Sequence, residues 1–396
     1  MSSLHIPRSK TDDYCEEVVG ARRELCERIA GRALSHLEGL PVPIETARGN
    51  IENIVGFAQV PVGLAGPVLV DTSDGEREVV VPMATTEGAM VASYSRGMKA
   101  MNAGGGARSR VLSERLSQHP VLVYRDASQA HAAAGKAREL EARMRELTLS
   151  ITGHGRLVEV MPEPLGRRLI LCLSFETADA IGINMASHAA ELCSALLAEE
   201  TGARERYVHG EDVEKRANSL SFIRGRGRTV VCDVTIPAAP LREVLRVTPA
   251  DFVRIHRTYQ LGFARLSTEN QLIQSANGLA AVMVACGQDV AYLTESATGF
   301  LDFDETDSGD LYASAYLPSL LVGTVGGGSG QGTAAECLDL LGVRGNGGAN
   351  VFAEILGAVV LAGDLSLLAS FCTHEFVAAH ERLGRNRPSS ERNHPS

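Results

Sequence analysis

The sequence has 396 residues, of which 44% are hydrophobic and 22% are charged, which is ordinary for a globular protein and long enough for two or three domains. The formal net charge of −10 excludes the broad basic surface expected of a protein that binds nucleic acid or an anionic membrane. The eight cysteines form no CxxC pair and show no metal-like spacing. They predict reduced thiols, no resident metal and a cytoplasmic location.

The first part of the chain predicts helix and then tight turns. Apolar residues recur at helical spacing within residues 11–40, which predicts a small N-terminal helical domain with a role in packing or oligomer contact. Residues 52–68 combine apolar residues with glycine and proline, which indicates close backbone approach. The polar first ten residues predict no signal peptide, and uncharged apolar runs such as 278–287 are too short to span a membrane.

Residues 81–106 form the segment around which we expect the fold to be organised. A short strand precedes a helix over residues 88–101 that has small residues on nearly every face, as in a tightly packed interior helix. Glu87 stands just before this helix. Partial burial would raise the pKa of its carboxylate toward proton-transfer range. The alternative is an anion that only complements the helix dipole.

An inserted α+β domain is predicted in the middle of the chain, because strands and helices alternate there. The predicted elements are a charged helix over 127–148, strands over 157–161 and 169–175, and a second helix over 182–200. The second helix is preceded by the run Asp179-Ala180-Ile181-Gly182-Ile183-Asn184-Met185. This run is not a GxGxxG fingerprint, but a helix start that carries glycine suits phosphate or ribose groups.

The last part of the chain contains three isolated signals. Lys215 lies in a polar loop before a predicted strand over 228–236, where a lysine is usually a solvated surface charge. Asp289 ends an apolar run predicted to be a buried helix or strand, and it is either a cap for the next segment or a buried acid. The run VGTVGGGSG at 322–330 is a weak signal for a phosphate cradle. A final helix is predicted over 359–380.

Taken together, these segments resemble the hydroxymethylglutaryl-CoA reductase family, most closely its class I type, over roughly residues 11–386. The matching segments are ENIVG and PVGLAGP within 52–67, ATTEG at 84–88, DAIGINM at 179–185, GRG at 225–227, GQD at 287–289, GTVGGG at 323–328 and AAHERLGRN at 378–386.

The resemblance implies an α+β fold with three parts. These are a small N-terminal helical domain (1–45), a large α/β substrate domain around a central helix (46–119 and 217–386), and an inserted small ferredoxin-like α+β cofactor domain (120–206). Residues 207–216 would form the catalytic lysine loop, and the polar tail 387–396 is predicted to be disordered. A homodimer or homotetramer with active sites at the subunit interface is also implied.

The implied reaction is the reduction of an acyl-CoA thioester to a primary alcohol by two hydrides from NADPH rather than NADH, most specifically hydroxymethylglutaryl-CoA to mevalonate. The implied catalytic residues are Glu87, Lys215, Asp289 and His380. Lys215 would stabilise charge on the carbonyl oxygen, and Glu87 would supply protons. Asp289 would lie between them, and His380 would protonate the departing CoA thiolate. His374 competes for this last role, but its distance from ERLGRN fits less well.

The resemblance also implies binding residues in the matching segments and around them. The implied cofactor-binding residues are Asp179, Ile181, Gly182, Asn184, Ser187, Arg143, Gly326, Gly327 and Arg385. Of these, Ser187, Arg143 and Arg385 would contact the 2′-phosphate. Those for the acyl-CoA substrate are Glu52, Asn53, Ser93, Arg96, Lys99, Gln118, Glu214, Arg216, Arg257 and Asn277.

The sequence departs from the family in the pocket for the acyl carboxylate. Gln118 stands where an arginine is usual, so the guanidinium group that could bind a carboxylate in a bidentate manner is missing. Val208 stands where a serine is usual, so a hydroxyl group is also missing. One alternative is therefore a family relative that reduces a different thioester, on CoA or on a carrier protein. A non-catalytic homologue that acts as a binding partner is a further alternative, which the four retained catalytic residues disfavour.

Overall fold

The computed structural model describes residues 4–9, 16–35, 50 and 58–374. Four of the predicted site residues (His380, Arg385, Glu52 and Asn53) and the tail 387–396 lie outside the described residues. The ten strands are β1 (Val62–Thr72), β2 (Gly75–Ala84), β3 (Ala107–Gln118), β4 (Val121–Val123), β5 (Arg156–Leu165), β6 (Arg168–Glu176), β7 (Glu205–Tyr207), β8 (Gly227–Ile236), β9 (Phe300–Glu305) and β10 (Leu311–Leu320).

The α-helices in the described part of the chain are α1 (Glu16–Ala30), α2 (Met90–Ala103), α3 (Ala127–Glu139), α4 (Glu141–Ile151), α5 (Ile183–Thr201), α6 (Ser219–Arg224), α7 (Ala238–Leu245), α8 (Pro249–Leu266), α9 (Ser275–Ala285), α10 (Leu293–Ser296), α11 (Gly332–Leu340) and α12 (Gly348–Cys372). Short 3-10 turns cover Val290–Tyr292 and Gly327–Gly330.

The predicted ferredoxin-like part is confirmed by the strand order. Strands β7, β4, β6 and β5 are neighbours in that order, and every pairing among them is antiparallel. Helices α3 and α4 connect β4 to β5, and α5 connects β6 to β7. This is the β-α-β-β-α-β arrangement of a ferredoxin-like fold. It buries the alanine-rich faces of α3 and α5, which explains why both helices are rich in small residues.

Strand β3 connects the small sheet to the larger one. Its residues Arg108–Arg115 pair with β8, and its last three residues, Leu116–Gln118, pair with β6. The larger sheet continues from β8 to β10 and β9, while β1 pairs with β2 and runs parallel to the start of β3. Gln118 therefore lies at the junction of the two sheets, and the overall class is α+β, as predicted.

Helix α12 is the most extensively buried helix in the described chain. It is long and apolar enough to cross a membrane, with a mean hydropathy of 2.0 in its most apolar window, but 83% of that window is buried inside the fold. Helix α2 packs against it, because a Cβ on Gly97 would lie only 1.8 Å from Ala362 O. The ring of Tyr94 occupies the space next to Gly278 and Gly363, where a Cβ would clash with it. These glycines allow the tight packing predicted for the 88–101 helix.

Three predicted helix limits are corrected by the structure. Helix α2 begins at Met90 rather than at residue 88, because Ala89 has a left-handed backbone with a φ of 70°. The predicted helix over 127–148 is divided at Leu140, the residue that follows α3 and precedes α4, where ψ is 0°. The helix predicted over 359–380 begins earlier, at Gly348, and α12 ends at Cys372, while residues 375–380 lie outside the described residues. Its apolar residues lie on all faces, so its start has no amphipathic signal.

Candidate active site

The loop over residues 207–216 brings Lys215 to Asp289. Lys215 Nζ lies 3.2 Å from Asp289 Oδ2 and 4.9 Å from the centroid of the Tyr292 ring. Asp289 Oδ1 also accepts a hydrogen bond from Ala291 N at 3.0 Å, so this residue is both a cap and the partner of the lysine. The side chains of Lys215 and Asp289 are 44% and 48% exposed, so the prediction of a buried acid is wrong for the single chain. Asp289 is exposed because it follows the end of α9 at the surface.

A buried ion pair lies beneath the lysine backbone. Glu295 Oε1 accepts a hydrogen bond from Lys215 N at 2.6 Å. Arg226 Nη1 lies 2.8 Å from both carboxylate oxygens of Glu295, and both side chains are fully buried. Burial raises the pKa of Glu295, while Arg226 and the Lys215 amide lower it. Sequence reasoning missed both residues, although Arg226 is the centre of GRG and Glu295 is a lone acid in a buried segment.

Gln118 is engaged by two residues of the chain itself. Its Nε2 donates to Glu214 Oε1 at 2.5 Å and to Ser187 Oγ at 3.2 Å. The Tyr292 hydroxyl donates to Glu214 Oε2 at 3.4 Å, and burial raises the pKa of Tyr292. Arg226 Nη2 lies 3.6 Å from Glu214 Oε1 and has no hydrogen-bond partner among the described residues. The Gln118 amide is therefore already bonded at the position where the family carries an arginine.

Glu87 is exposed in the described chain, which differs from the predicted partial burial. It lies in the turn between β2 and α2, where its amide donates to Thr85 Oγ1 at 3.0 Å. The left-handed Ala89 delays the start of α2, so the carboxylate stays outside the packed helix. The single chain therefore does not bury this carboxylate.

A buried polar network that the sequence did not reveal lies near this turn. The Tyr94 hydroxyl donates to Gln274 O at 2.6 Å, and Gln274 N donates to Asp364 Oδ1 at 2.5 Å. Burial raises the pKa of Tyr94 well above its usual value, with smaller effects from Asp364 and Glu87. Asp364 is fully enclosed, and desolvation raises its pKa to about 7. It lies in α12, which also contains the buried Glu354.

The two predicted cofactor segments are neighbours in the structure. The Asp179 carboxylate accepts hydrogen bonds from Gly347 N at 2.8 Å and Ala349 N at 3.1 Å, and it thereby caps the start of α12. Its backbone oxygen accepts from Thr324 N at 2.8 Å. A Cβ on Gly323 would lie 2.7 Å from Ile181 N, so only glycine permits this approach.

The exposed part of these segments fits a dinucleotide. Gly326 and Gly327 are exposed, and a Cβ on either would meet no atom within 4 Å. Gly182 precedes α5 and provides no side-chain cap, so no capping side chain occupies the first amide groups of that helix, which suit an anion, and Asn184 is exposed beside them. A flat, anionic cofactor can therefore approach this glycine-lined surface closely.

Of the predicted 2′-phosphate contacts, the two in the described part of the chain, Arg143 and Ser187, are not brought together. Arg143 on α4 pairs with Glu200 at 3.2 Å, near the end of α5. Ser187 lies near the start of α5, and at ~1.5 Å per residue the two positions on this helix are about 20 Å apart. Ser187 is instead bonded to Gln118.

The remaining predicted substrate residues divide into a packed set and an exposed set. Ser93 Oγ lies 3.0 Å from Ser366 Oγ, and Arg96 bonds to the same serine through Nε at 3.0 Å and Nη2 at 2.6 Å. These contacts join α2 to α12. Arg216 pairs with Asp212 at 2.6 Å on the surface. The exposed set consists of Lys99, Arg257 and Asn277.

Comparison with known proteins identifies close relatives of this chain. It is 37% identical to the 3-hydroxy-3-methylglutaryl-coenzyme A reductase of Methanothermobacter thermautotrophicus over 374 residues, which are 93% of this chain and 94% of that protein. It is 38% identical to the reductase of the same name from Haloferax volcanii over 372 residues, which cover 92% of each chain. The reductase of Xenopus laevis is 34% identical over 98% of this chain, which spans 46% of that longer protein.

The fold is also similar to a solved structure. The class II 3-hydroxy-3-methylglutaryl-CoA reductase from Streptococcus pneumoniae, solved bound to NADPH in open conformations, has a TM-score of 0.72 at 21% identity, and the match covers 89% of this chain and 96% of that one. The sequence pattern of the family described as hydroxymethylglutaryl-coenzyme A reductase matches residues 18–385. With this match and relatives that cover nearly the whole chain, the protein belongs to the hydroxymethylglutaryl-coenzyme A reductase family.

Proposed function

We propose that this protein reduces hydroxymethylglutaryl-CoA to mevalonate with hydrides from two molecules of NADPH. The observation that carries the proposal is the contact between Lys215 Nζ and Asp289 Oδ2, because these are two of the four catalytic positions of the family. The names of the relatives from Methanothermobacter and Haloferax support the same reaction.

The site residues perform complementary tasks in this reaction. Hydride addition to the thioester carbonyl places negative charge on its oxygen, and the Lys215 ammonium stabilises that charge. Asp289 orients the lysine ammonium group through their ion pair. Glu87 delivers protons to the same oxygen, for which it requires a drier environment than a single chain provides. His380 protonates the CoA thiolate that leaves when the hemithioacetal collapses to the aldehyde.

Two glycine-bearing segments would hold the cofactor. NADPH supplies the hydride when it is bound. The amides at the start of α5 beside Gly182 and Asn184 would bind its phosphates, and the open surface at Gly326 and Gly327 would accept its flat ring systems. Asp179 would contribute to cofactor binding indirectly, because its carboxylate accepts hydrogen bonds from the backbone at the start of α12 and holds that helix next to this surface.

A relative with a different acyl group is the second candidate, and the bonding of Gln118 favours it. A carboxylate on the acyl chain needs a cationic partner when it is buried. Gln118 carries no charge, its amide is bonded to Glu214 and Ser187, and Glu214 adds negative charge at this position. Such a pocket favours an acyl group that lacks the distal carboxylate, carried on CoA or on a carrier protein.

Assembly into a homodimer or homotetramer with interfacial active sites is also part of the proposal. Glu87, Lys215 and Asp289 are open to water in the single chain, and a second chain would exclude that water during hydride transfer. Helix α8 exposes Leu261 and Leu266, which suit a contact between chains. A cytoplasmic location fits the seven free cysteines in the described part of the chain.

The test is a steady-state assay that follows NADPH oxidation. Hydroxymethylglutaryl-CoA is compared with acyl-CoAs of similar size that lack the carboxylate and with one acyl group on a carrier protein. Turnover with hydroxymethylglutaryl-CoA supports mevalonate formation. Turnover only with the other thioesters supports the second candidate, and no turnover with any substrate would contradict both.

A further inference from the structure

The catalytic lysine has a backbone conformation that its sequence does not favour. Lys215 has a φ of 56°, in the left-handed region that residues with a Cβ rarely adopt. Neither neighbour, Glu214 or Arg216, is a glycine that could relieve the backbone strain in this loop. A contact outside the loop is therefore needed to hold this conformation.

Glu295 supplies that contact. Its Oε1 accepts the Lys215 amide hydrogen at 2.6 Å, and it is 1% exposed. A charged acceptor forms a shorter and stronger hydrogen bond than a neutral one, which suits it to fix a single backbone amide. The Lys215 side chain is 44% exposed. Its backbone amide, by contrast, is held by a hydrogen bond to a buried carboxylate, so the backbone has the stronger anchor.

Arg226 fixes Glu295 in turn. The Arg226 amide donates to Ser319 Oγ at 3.0 Å, and its Nε donates to Ser117 O at 3.2 Å. These partners lie on β10 and β3, the strands on either side of β8 in the larger sheet. The chain Arg226–Glu295–Lys215 thus connects the loop to two strands of the larger sheet.

We propose that Glu295 is a positioning residue for Lys215, and that the buried pair Glu295–Arg226 holds the lysine backbone in its left-handed conformation and directs Nζ toward Asp289. The proposal rests on the proposed function, because it assumes that Lys215 acts on the reacting oxygen. It adds a residue that touches no substrate but determines where the oxyanion-stabilising charge lies. A displacement of about 1 Å at such a charge reduces the rate without abolishing binding.

The first experiment is Glu295→Gln, which keeps the shape and removes the charge. The new amide keeps one oxygen for Lys215 N, but it removes the negative charge, and its NH2 group replaces the second oxygen that accepts from Arg226 Nη1. We expect kcat to fall about tenfold or more, with the KM values for NADPH and acyl-CoA changed by less than about threefold. A normal kcat in a folded variant would overturn the proposal.

A double-mutant cycle with Lys215→Ala separates positioning from general stability. If Glu295 acts through the lysine, Glu295→Gln should lower the residual kcat of Lys215→Ala by less than about twofold. An equal loss in both backgrounds would mean a merely structural role. Glu354→Gln is the matched control, since Glu354 is another fully buried glutamate that accepts backbone amides, from Ser73 and Val111. It should leave kcat unchanged.

A second variant addresses the risk that one unpaired buried charge unfolds the protein. Glu295→Met combined with Arg226→Met replaces the pair by apolar side chains of similar size, a change that is often tolerated. This variant should remain folded by circular dichroism but show the same loss of kcat. A folded double variant with full activity would contradict the anchoring role.

Limited trypsin digestion reports on the conformation of the loop and does not depend on turnover of the acyl-CoA substrate. Lys215 and Arg216 are themselves cleavage sites, and release of the anchor should accelerate cleavage after them about fivefold or more in Glu295→Gln. Cleavage after exposed Arg156 should not change. Unaltered cleavage after Lys215 and Arg216 would refute the anchor even if the enzyme reduces its substrate. Faster cleavage would support the anchor even if the acyl-CoA panel shows no turnover and the proposed function fails.

Discussion

Lys215 Nζ lies 3.2 Å from Asp289 Oδ2 in a pair that is half-exposed on both sides. An exposed ion pair of this kind contributes little to stability, typically about 0–1 kcal/mol. The backbone beneath it is held by the buried pair of Glu295 and Arg226. The fold therefore presents one lysine at the surface above a buried ion pair, which is the geometry expected of a group that stabilises charge on a bound substrate.

Removal of this lysine is the most direct test of the mechanism. Lys215→Ala should lower kcat by about 10²-fold or more, the scale of losing one oxyanion donor, because no other described ammonium pairs with Asp289. The KM values should change much less. Arg254→Ala removes an exposed cation that pairs with Asp251 and serves as the control. Near-normal turnover of Lys215→Ala would remove the lysine from the mechanism.

The altered acyl pocket makes a prediction about specificity. Hydroxymethylglutaryl-CoA should show a higher KM than an acyl-CoA without the carboxylate, since the missing contacts weaken its recognition by roughly 2–4 kcal/mol. Gln118→Arg should lower the KM for hydroxymethylglutaryl-CoA and leave that for the uncharged acyl-CoA unimproved. A low-micromolar KM in the unmodified protein would instead identify an ordinary mevalonate-forming enzyme.

The role of His380 can be separated from that of His374 by substrate choice. His380→Ala should impair reduction of the thioester and spare reduction of the free aldehyde, because only the first step releases a thiolate that needs a proton. His374→Ala, in the exposed turn after α12, should affect neither reaction. An equal loss on both substrates in His380→Ala would make that histidine structural.

Asp364 predicts a pH dependence of stability. Burial raises its pKa from 3.8 to about 7, so the folded chain holds a proton that the unfolded chain releases at lower pH. This contribution to the free energy of unfolding is complete below about pH 4 and is lost as the pH rises toward 7, by about 1.4 kcal/mol per unit. Asp364→Asn cannot titrate, so its stability relative to the unmodified chain should increase between about pH 4 and about pH 7. A difference that is constant in urea unfolding across this range would contradict the burial effect.

The proposed assembly predicts an inactive monomer. Sedimentation velocity should show a dimer or a larger even-numbered oligomer, because an isolated chain leaves Glu87 and the Lys215–Asp289 pair in water. Leu261→Glu with Leu266→Glu on α8 should shift this equilibrium toward monomers and reduce activity in parallel. A fully active monomer would refute interfacial active sites.

Contiguous signals in the sequence were sufficient to identify the family, the α+β class and the ferredoxin-like part. Runs such as DAIGINM and GTVGGG are local, and the alternation of strands and helices in 120–206 is visible from periodicity. Helix limits were less accurate. The start of α2 depends on the left-handed Ala89, and α12 is apolar on every face, so neither boundary has a local signal.

Only the tertiary structure decided how distant residues pair. Gln118 is bonded to Glu214 and Ser187, and Arg226 is bonded to Glu295, although these partners are widely separated along the chain. Burial is likewise a property of the packed molecule. It leaves Glu87 exposed where the sequence predicted desolvation, and it raises the pKa of Asp364, which no local pattern singled out. Local sequence determines which segment forms which element, whereas charge pairing and desolvation depend on which elements become neighbours.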